Sequence, residues 1–192
     1  MIRQIRNIIN EKRVGHAGTL DPLAAGVLVV AVGREYTKKI DQIQAKKKTY
    51  LADIILGYKS TTDDDEGEKT AVNISKKPTK KEIEKCLSSF VGTISQRPPQ
   101  YSAKKIGGVR SYKLLREGKT AKLKPCLVTI YSIVIIKYKY PDLRLQIICS
   151  GGTYIRSLSR DIGDILQTGA YLKNLTRTAI GSYKLKDALK II

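Results

Sequence analysis

The sequence predicts an α+β domain: a mixed, mostly antiparallel sheet flanked by helices and loops. Three observations carry that expectation. Two long β-branched stretches, LVTIYSIVIIKYKY and LRLQIICS, meet at Pro141-Asp142 and read as an antiparallel pair. Helical-period segments are interspersed with strands, but without the regular βαβ alternation of a parallel sheet. No internal repeat and no Pro-, Gly- or Ser-rich linker divides the 192 residues, a length suited to one domain with its own core.

In chain order, residues 2–12 place Ile2, Ile5, Ile8 and Ile9 at helical spacing between basic residues, which predicts an amphipathic helix. The Gly-punctuated loop VGHAGTLDP follows, and then the apolar run GVLVVAVG, short enough to be a buried strand. YTKKIDQIQA resumes a helical pattern, TYLADIILGYK alternates as a strand ending at Gly57, and STTDDDEGEK reads as a polar loop. Thr79 with Glu82 three residues on forms a capping-box pattern, opening a helix with Ile83, Leu87 and Phe90 on one face. Residues 91–110 read as an irregular basic stretch and 111–117 as one short helix. Past the long strand pair, SLSRDIGDILQ is expected to be helical, and SYKLKDALKII to end the chain in a short helix.

Lysine and arginine number 36 against 17 acids, a formal charge of +19 that favours a polyanionic partner. A Lys- and Ile-rich composition can also reflect an AT-rich genome, and charge does not say which nucleic acid is bound. No apolar run approaches the roughly 18–20 residues of a membrane span, and MIRQIRNIIN lacks the features of a signal peptide. Three well-separated cysteines (Cys86, Cys126, Cys149) and a single histidine argue against a zinc site and fit a cytoplasmic location.

Four constellations can carry chemistry. In Gly15-His16-Ala17-Gly18-Thr19-Leu20-Asp21-Pro22, glycines allow a tight turn and Pro22 restricts the backbone of Asp21, fixing where its carboxylate points. From local chemistry alone, an Asp-Pro turn is the simpler account. His16 has no serine or cysteine partner for a hydrolytic triad; it is either an ordinary loop histidine or a nucleotide contact. In Gly151-Gly152-Thr153-Tyr154-Ile155-Arg156, Tyr154 and Arg156 are expected on one side of an extended segment, a ring for a base and a cation for an anion. Lys46-Lys47-Lys48-Thr49-Tyr50 joins basic charge to a stacking ring, although a strand tyrosine behind a solvated loop fits as well. Tyr101, Lys104 and Arg110 lie in a basic, Gly-containing segment suited to RNA backbone, or equally to a flexible surface loop.

Taken together and in this order, GHAGTLDPLAAGVL, KKKTY, LGYKSTTDDDEG, PPQYSAKKIGGVRSYKLLREG and GGTYIRSLSRDIGDILQTGAYLKNLTRTAIGSY resemble the bacterial tRNA pseudouridine-55 synthase family, TruB. The likeness runs from about Val14 to the C terminus and implies the pseudouridine synthase catalytic fold over 1–192. Members of the family usually open with an apolar strand and a K-P-x-G-x-T-S turn, and commonly end in a PUA domain. Neither has a match here, so the expectation is an N-terminally shortened catalytic domain without PUA, with a sheet edge exposed and RNA affinity leaning on charge.

The resemblance implies isomerisation of the T-arm uridine of tRNA without metal or organic cofactor, by a protein expected to be monomeric. Asp21 matches the family's essential aspartate and Arg156 its arginine partner. Tyr50 matches the tyrosine packed on the target base, Tyr154 and Leu175 match pocket residues, and His16 matches a histidine that holds the T-loop. Lys48, Tyr101, Lys104 and Arg110 are expected to contact RNA. Two other readings stay open: a catalytically impaired RNA-binding or RNA-folding protein of this fold, and a pseudouridine synthase for another RNA.

Overall fold

In the computed structural model, residues 2–102 and 123–190 are described, together with the backbone of 105–106 and 109–110. The chain opens with α1 (Ile2–Ile9), β1 (Val14–His16), β2 (Ala24–Gly26) and β3 (Val30–Val32), then two single-turn helices, α2 (Gly33–Thr37) and α3 (Ile40–Gln44). Next come β4 (Lys48–Leu56), the ribbon β5 (Tyr58–Ser60) and β6 (Lys69–Ala71), helix α4 (Lys80–Ser88), and β7 (Gly92–Gln96). A two-residue ribbon, β8 (Lys105–Ile106) and β9 (Val109–Arg110), precedes the long pair β10 (Cys126–Lys139) and β11 (Asp142–Cys149). Helix α5 (Ile155–Ile165), β12 (Ala170–Ile180), β13 (Tyr183–Lys184) and a 3-10 turn (Leu185–Asp187) complete the described chain.

The main sheet has seven strands, in the order β13-β12-β4-β11-β10-β7 with β2 added alongside β12. Every pairing is antiparallel except that of β2 with β12. This is the mixed, mostly antiparallel sheet expected from the sequence. Alternation along β4 and β11 turns Ala52, Ile54, Leu56, Leu143, Leu145 and Ile147 inward. Helices α4 and α5 supply Ile83, Leu87, Leu158 and Ile162 to the same core. The capping box of α4 is formed: Thr79 Oγ1 accepts from the Glu82 amide, and the Glu82 carboxylate accepts from the Thr79 amide at 2.6 Å.

Several expectations need correction. The run GVLVVAVG is not one strand. Gly26 ends β2, residues 27–29 cross between sheets, and β3 then pairs with β1. YTKKIDQIQA gives two single-turn helices, and the loop STTDDDEGEK is the tip of the β5–β6 ribbon. Within residues 91–110, strand β7 pairs along β10; its alternation is mostly polar, which hid it. Strand β12 escaped because Lys173, Asn174, Thr176 and Arg177 interrupt its apolar pattern, and two register shifts break the period. The terminal segment makes the short strand β13 and a 3-10 turn among the described residues rather than an α-helix, because its side chains are exposed and no packed face supports a helix. The helix expected over 111–117 falls outside the described residues.

Candidate active site

Asp21 sits on the loop that joins β1 to β2. Gly18 takes a positive φ of 95°, a conformation that favours glycine, and the Ala24 amide closes a turn by donating to the Asp21 carbonyl at 2.8 Å. The Asp21 side chain remains 38% exposed, so a ligand can reach its carboxylate.

Arg156 meets it from below. The segment Tyr154–Arg156 is not extended: Tyr154 is the N-cap of α5 and Arg156 lies in its first turn, where it is 7% exposed at the side chain. The shared-face argument for an extended segment therefore fails, yet the helix start still delivers both residues to Asp21. Arg156 Nε stands 2.9 Å from Asp21 Oδ2, at ion-pair distance, but its N–H makes no aligned hydrogen bond. The other guanidinium nitrogens are engaged: Nη1 with Asp64 Oδ2 at 3.2 Å and Nη2 with the Tyr101 carbonyl at 3.0 Å. A cation in a helix's first turn opposes the macrodipole. Here the buried Asp64, 3% exposed, offsets it.

Asp64 comes from the acidic ribbon tip, where its Oδ1 accepts from the Thr62 hydroxyl and the Glu66 amide. Its neighbour Asp63 pairs with Arg160 at 2.8 Å and so ties the tip to α5. Gln96 at the end of β7 clamps the start of α5: its Oε1 accepts from the Tyr154 amide at 2.9 Å, and its Nε2 donates to the Tyr154 carbonyl at 3.1 Å.

Tyr50 is buried on β4, in register with Arg177 of β12 and Ile147 of β11. Burial pushes its phenol up, and the Arg177 guanidinium beside its oxygen acts in the opposite direction. Burial likewise raises the Tyr154 phenol, whose surroundings include Arg156 and Asp21. Leu175 on β12 is buried, in register with Ala24 of β2 and Ala52 of β4. The carboxylate thus has a guanidinium below it, two tyrosines in electrostatic range, and an apolar floor nearby.

The other expected site residues take varied places. Lys48 is 4% exposed and its ammonium donates to the Gln44 carbonyl at 2.5 Å, so it is a buried structural cation rather than an outward RNA contact. Its pKa is lowered by burial and then by Arg177. Tyr101 offers its carbonyl to Arg156, while the residue as a whole is 42% exposed. His16 is half-buried on β1, its Nδ1 enclosed without a hydrogen-bond partner. The side chains of Lys104 and Arg110 fall outside the described residues. Burial raises the thiols of Cys86 and Cys149 to about 11, which keeps them protonated near neutrality. Among the described residues, no group of three His, Cys, Asp or Glu side chains is placed to hold a metal ion.

Sequence reasoning missed Asp64, Gln96 and Arg177. Three successive aspartates in a chain of charge +19 were the available signal for Asp64. Gln96 and Arg177 sit on β7 and β12, two of the strands that patterning failed to find.

Comparison with known proteins shows the family and the fold. Residues 6–155 match the model of the TruB family pseudouridylate synthase N-terminal domain. The chain is 44% identical over 181 residues to tRNA pseudouridine synthase B of Bacteroides fragilis, covering 94% of this chain and 77% of that protein. It is 45% identical over 189 residues to the same-named protein of Dehalococcoides mccartyi, covering 98% and 63%. The fold is similar to a chain in the crystal structure of a Cbf5-Nop10-Gar1 complex, with a TM-score of 0.70 and 28% identity over 95% of this chain and 45% of that one. This chain belongs to the TruB family of pseudouridylate synthases.

Proposed function

We propose that this chain acts as a catalytic domain that isomerises uridine to pseudouridine in the T arm of tRNA, with Asp21 working on the flipped nucleotide. The observation that carries the reading is a half-exposed carboxylate standing 2.9 Å from a buried guanidinium. An adjacent cation favours the ionised carboxylate, the form that either attacks C1′ or removes the C2′ proton.

The reaction conserves composition. The N1–C1′ bond breaks, a C5–C1′ bond forms, C5 gives up its proton and N1 gains one. In this reading Tyr50 packs on the uracil while it rotates, Tyr154 and Leu175 bound the pocket, and His16 holds the T-loop. The target base is stacked in free tRNA, so it must be flipped out at a cost of a few kcal/mol. Contacts between the basic surface and phosphates offset that cost.

The test is to incubate the protein with unmodified tRNA and map pseudouridine by carbodiimide treatment and primer extension. Product at the T-loop uridine, absent for Asp21→Asn with tRNA binding intact, is the expected result. Binding without product in the unaltered chain would instead favour an RNA-binding protein of this fold.

A further inference from the structure

Strand β12 sends one large side chain beneath the Asp21 loop, and the reaction scheme above leaves it without a task. Arg177 is 1% exposed, and no carboxylate among the described residues lies within ion-pair distance of it. Burying a cation without an anionic partner is costly. An apolar residue would fill the same space without that cost, so packing alone does not account for Arg177.

Its hydrogen bonds indicate the role. Nε donates to the Val27 carbonyl at 2.7 Å and Nη2 donates to the Gly18 carbonyl at 3.1 Å. Its own carbonyl accepts from the Val27 amide at 2.8 Å. Gly26, with φ of 108°, lies against the same backbone so closely that a Cβ there would stand 2.2 Å from the Arg177 carbonyl oxygen. One residue therefore grips the chain on both sides of Asp21. Arg156 cannot substitute for this grip, because its N–H toward Asp21 is not aligned as a hydrogen bond. The place of the carboxylate comes from its backbone, and the loop ends are tied to Arg177.

We propose that Arg177 is a positioning residue for the isomerisation, a staple across residues 18–27 that fixes the Asp21 carboxylate relative to Tyr50. This rests on the function proposed above. A planar guanidinium reaches two carbonyls in different directions, which a lysine ammonium on a flexible stem does not reproduce.

The experiment uses the full chain with Arg177→Lys and Arg177→Met. It reads single-turnover pseudouridine formation, tRNA affinity, thermal unfolding and peptide-resolved amide exchange. For Arg177→Lys, the expected result is a rate about 100-fold lower with tRNA affinity within about threefold. Faster exchange should be confined to residues 17–29. A similar rate loss is expected in the Tyr50→Phe background, since the staple acts through the loop rather than through the phenol. Should Arg177→Met fail to fold, Arg177→Lys carries the same comparison. A rate within about threefold of the unaltered chain would overturn the proposal. So would exchange that rises across the whole sheet, or a rate effect that vanishes with Tyr50→Phe. If the unaltered chain forms no pseudouridine, the proposed function fails, and the exchange pattern still decides whether Arg177 anchors the loop.

Discussion

Arg156 is shared between two carboxylates of different character: Asp21 at 2.9 Å, open to solvent, and Asp64 at 3.2 Å, buried. The buried partner makes the arginine structural, and the open one makes it available to chemistry. Removing Arg156 therefore tests two things at once.

Arg156→Ala leaves Asp64 buried and unpaired, and should cost about 3–5 kcal/mol in denaturant unfolding along with turnover. The double variant Arg156→Met with Asp64→Leu should regain most of that stability while staying inactive. If the double variant is as unstable as Arg156→Ala, the loss comes from packing rather than from a stranded charge.

Gly26→Ala places a methyl group 2.2 Å from a backbone oxygen at φ of 108°, so β2 must leave β12. Gly152 has φ of 82° with open space around it. Gly152→Ala should show only the left-handed backbone cost, roughly 1–2 kcal/mol, and Gly26→Ala clearly more. Equal shifts in thermal midpoint would contradict the close approach.

Charge-driven binding makes tRNA affinity fall at least about tenfold between about 50 and 200 mM salt, as two or more phosphate contacts require. A flat response would argue against it. Lys48→Met should leave the slope unchanged, because its ammonium serves backbone carbonyls; a shallower slope would return Lys48 to the RNA surface.

Glu82 supplies a pH dependence. The Thr79 amide and then the Thr79 hydroxyl bond its carboxylate and lower it from the usual 4.5 to about 2. A depressed carboxyl pKa stabilises the fold above the unfolded value, and that stabilisation is lost as pH falls from about 4.5 toward 2. The difference in melting temperature between the unaltered chain and Glu82→Gln should therefore be full at pH 6 and shrink through that window. A difference independent of pH would remove the carboxylate from the cap.

Local pattern was enough for α4, β4, the β10–β11 pair and α5, because each carries its own periodicity or cap within a dozen or so residues. The loop of Asp21 was legible as well, since Gly18 and Asp21-Pro22 constrain the backbone wherever the rest of the chain lies. Strands β7 and β12 were not legible. Their polar residues look like loop until β10 and β4 lie alongside to satisfy the backbone.

The amino-acid order by itself determined the class of fold, because short-range periodicity encodes it. The candidate aspartate and its arginine came from the order of motifs that resembles the TruB family, since local chemistry alone favours an Asp-Pro turn. Only the tertiary structure decided that Asp64 shares Arg156, that Lys48 is buried, and that Arg177 grips both ends of the Asp21 loop. The two arginine relationships join residues separated by about 90 to 160 positions, and a charge or hydrogen bond acts through distance in space, which no local pattern records.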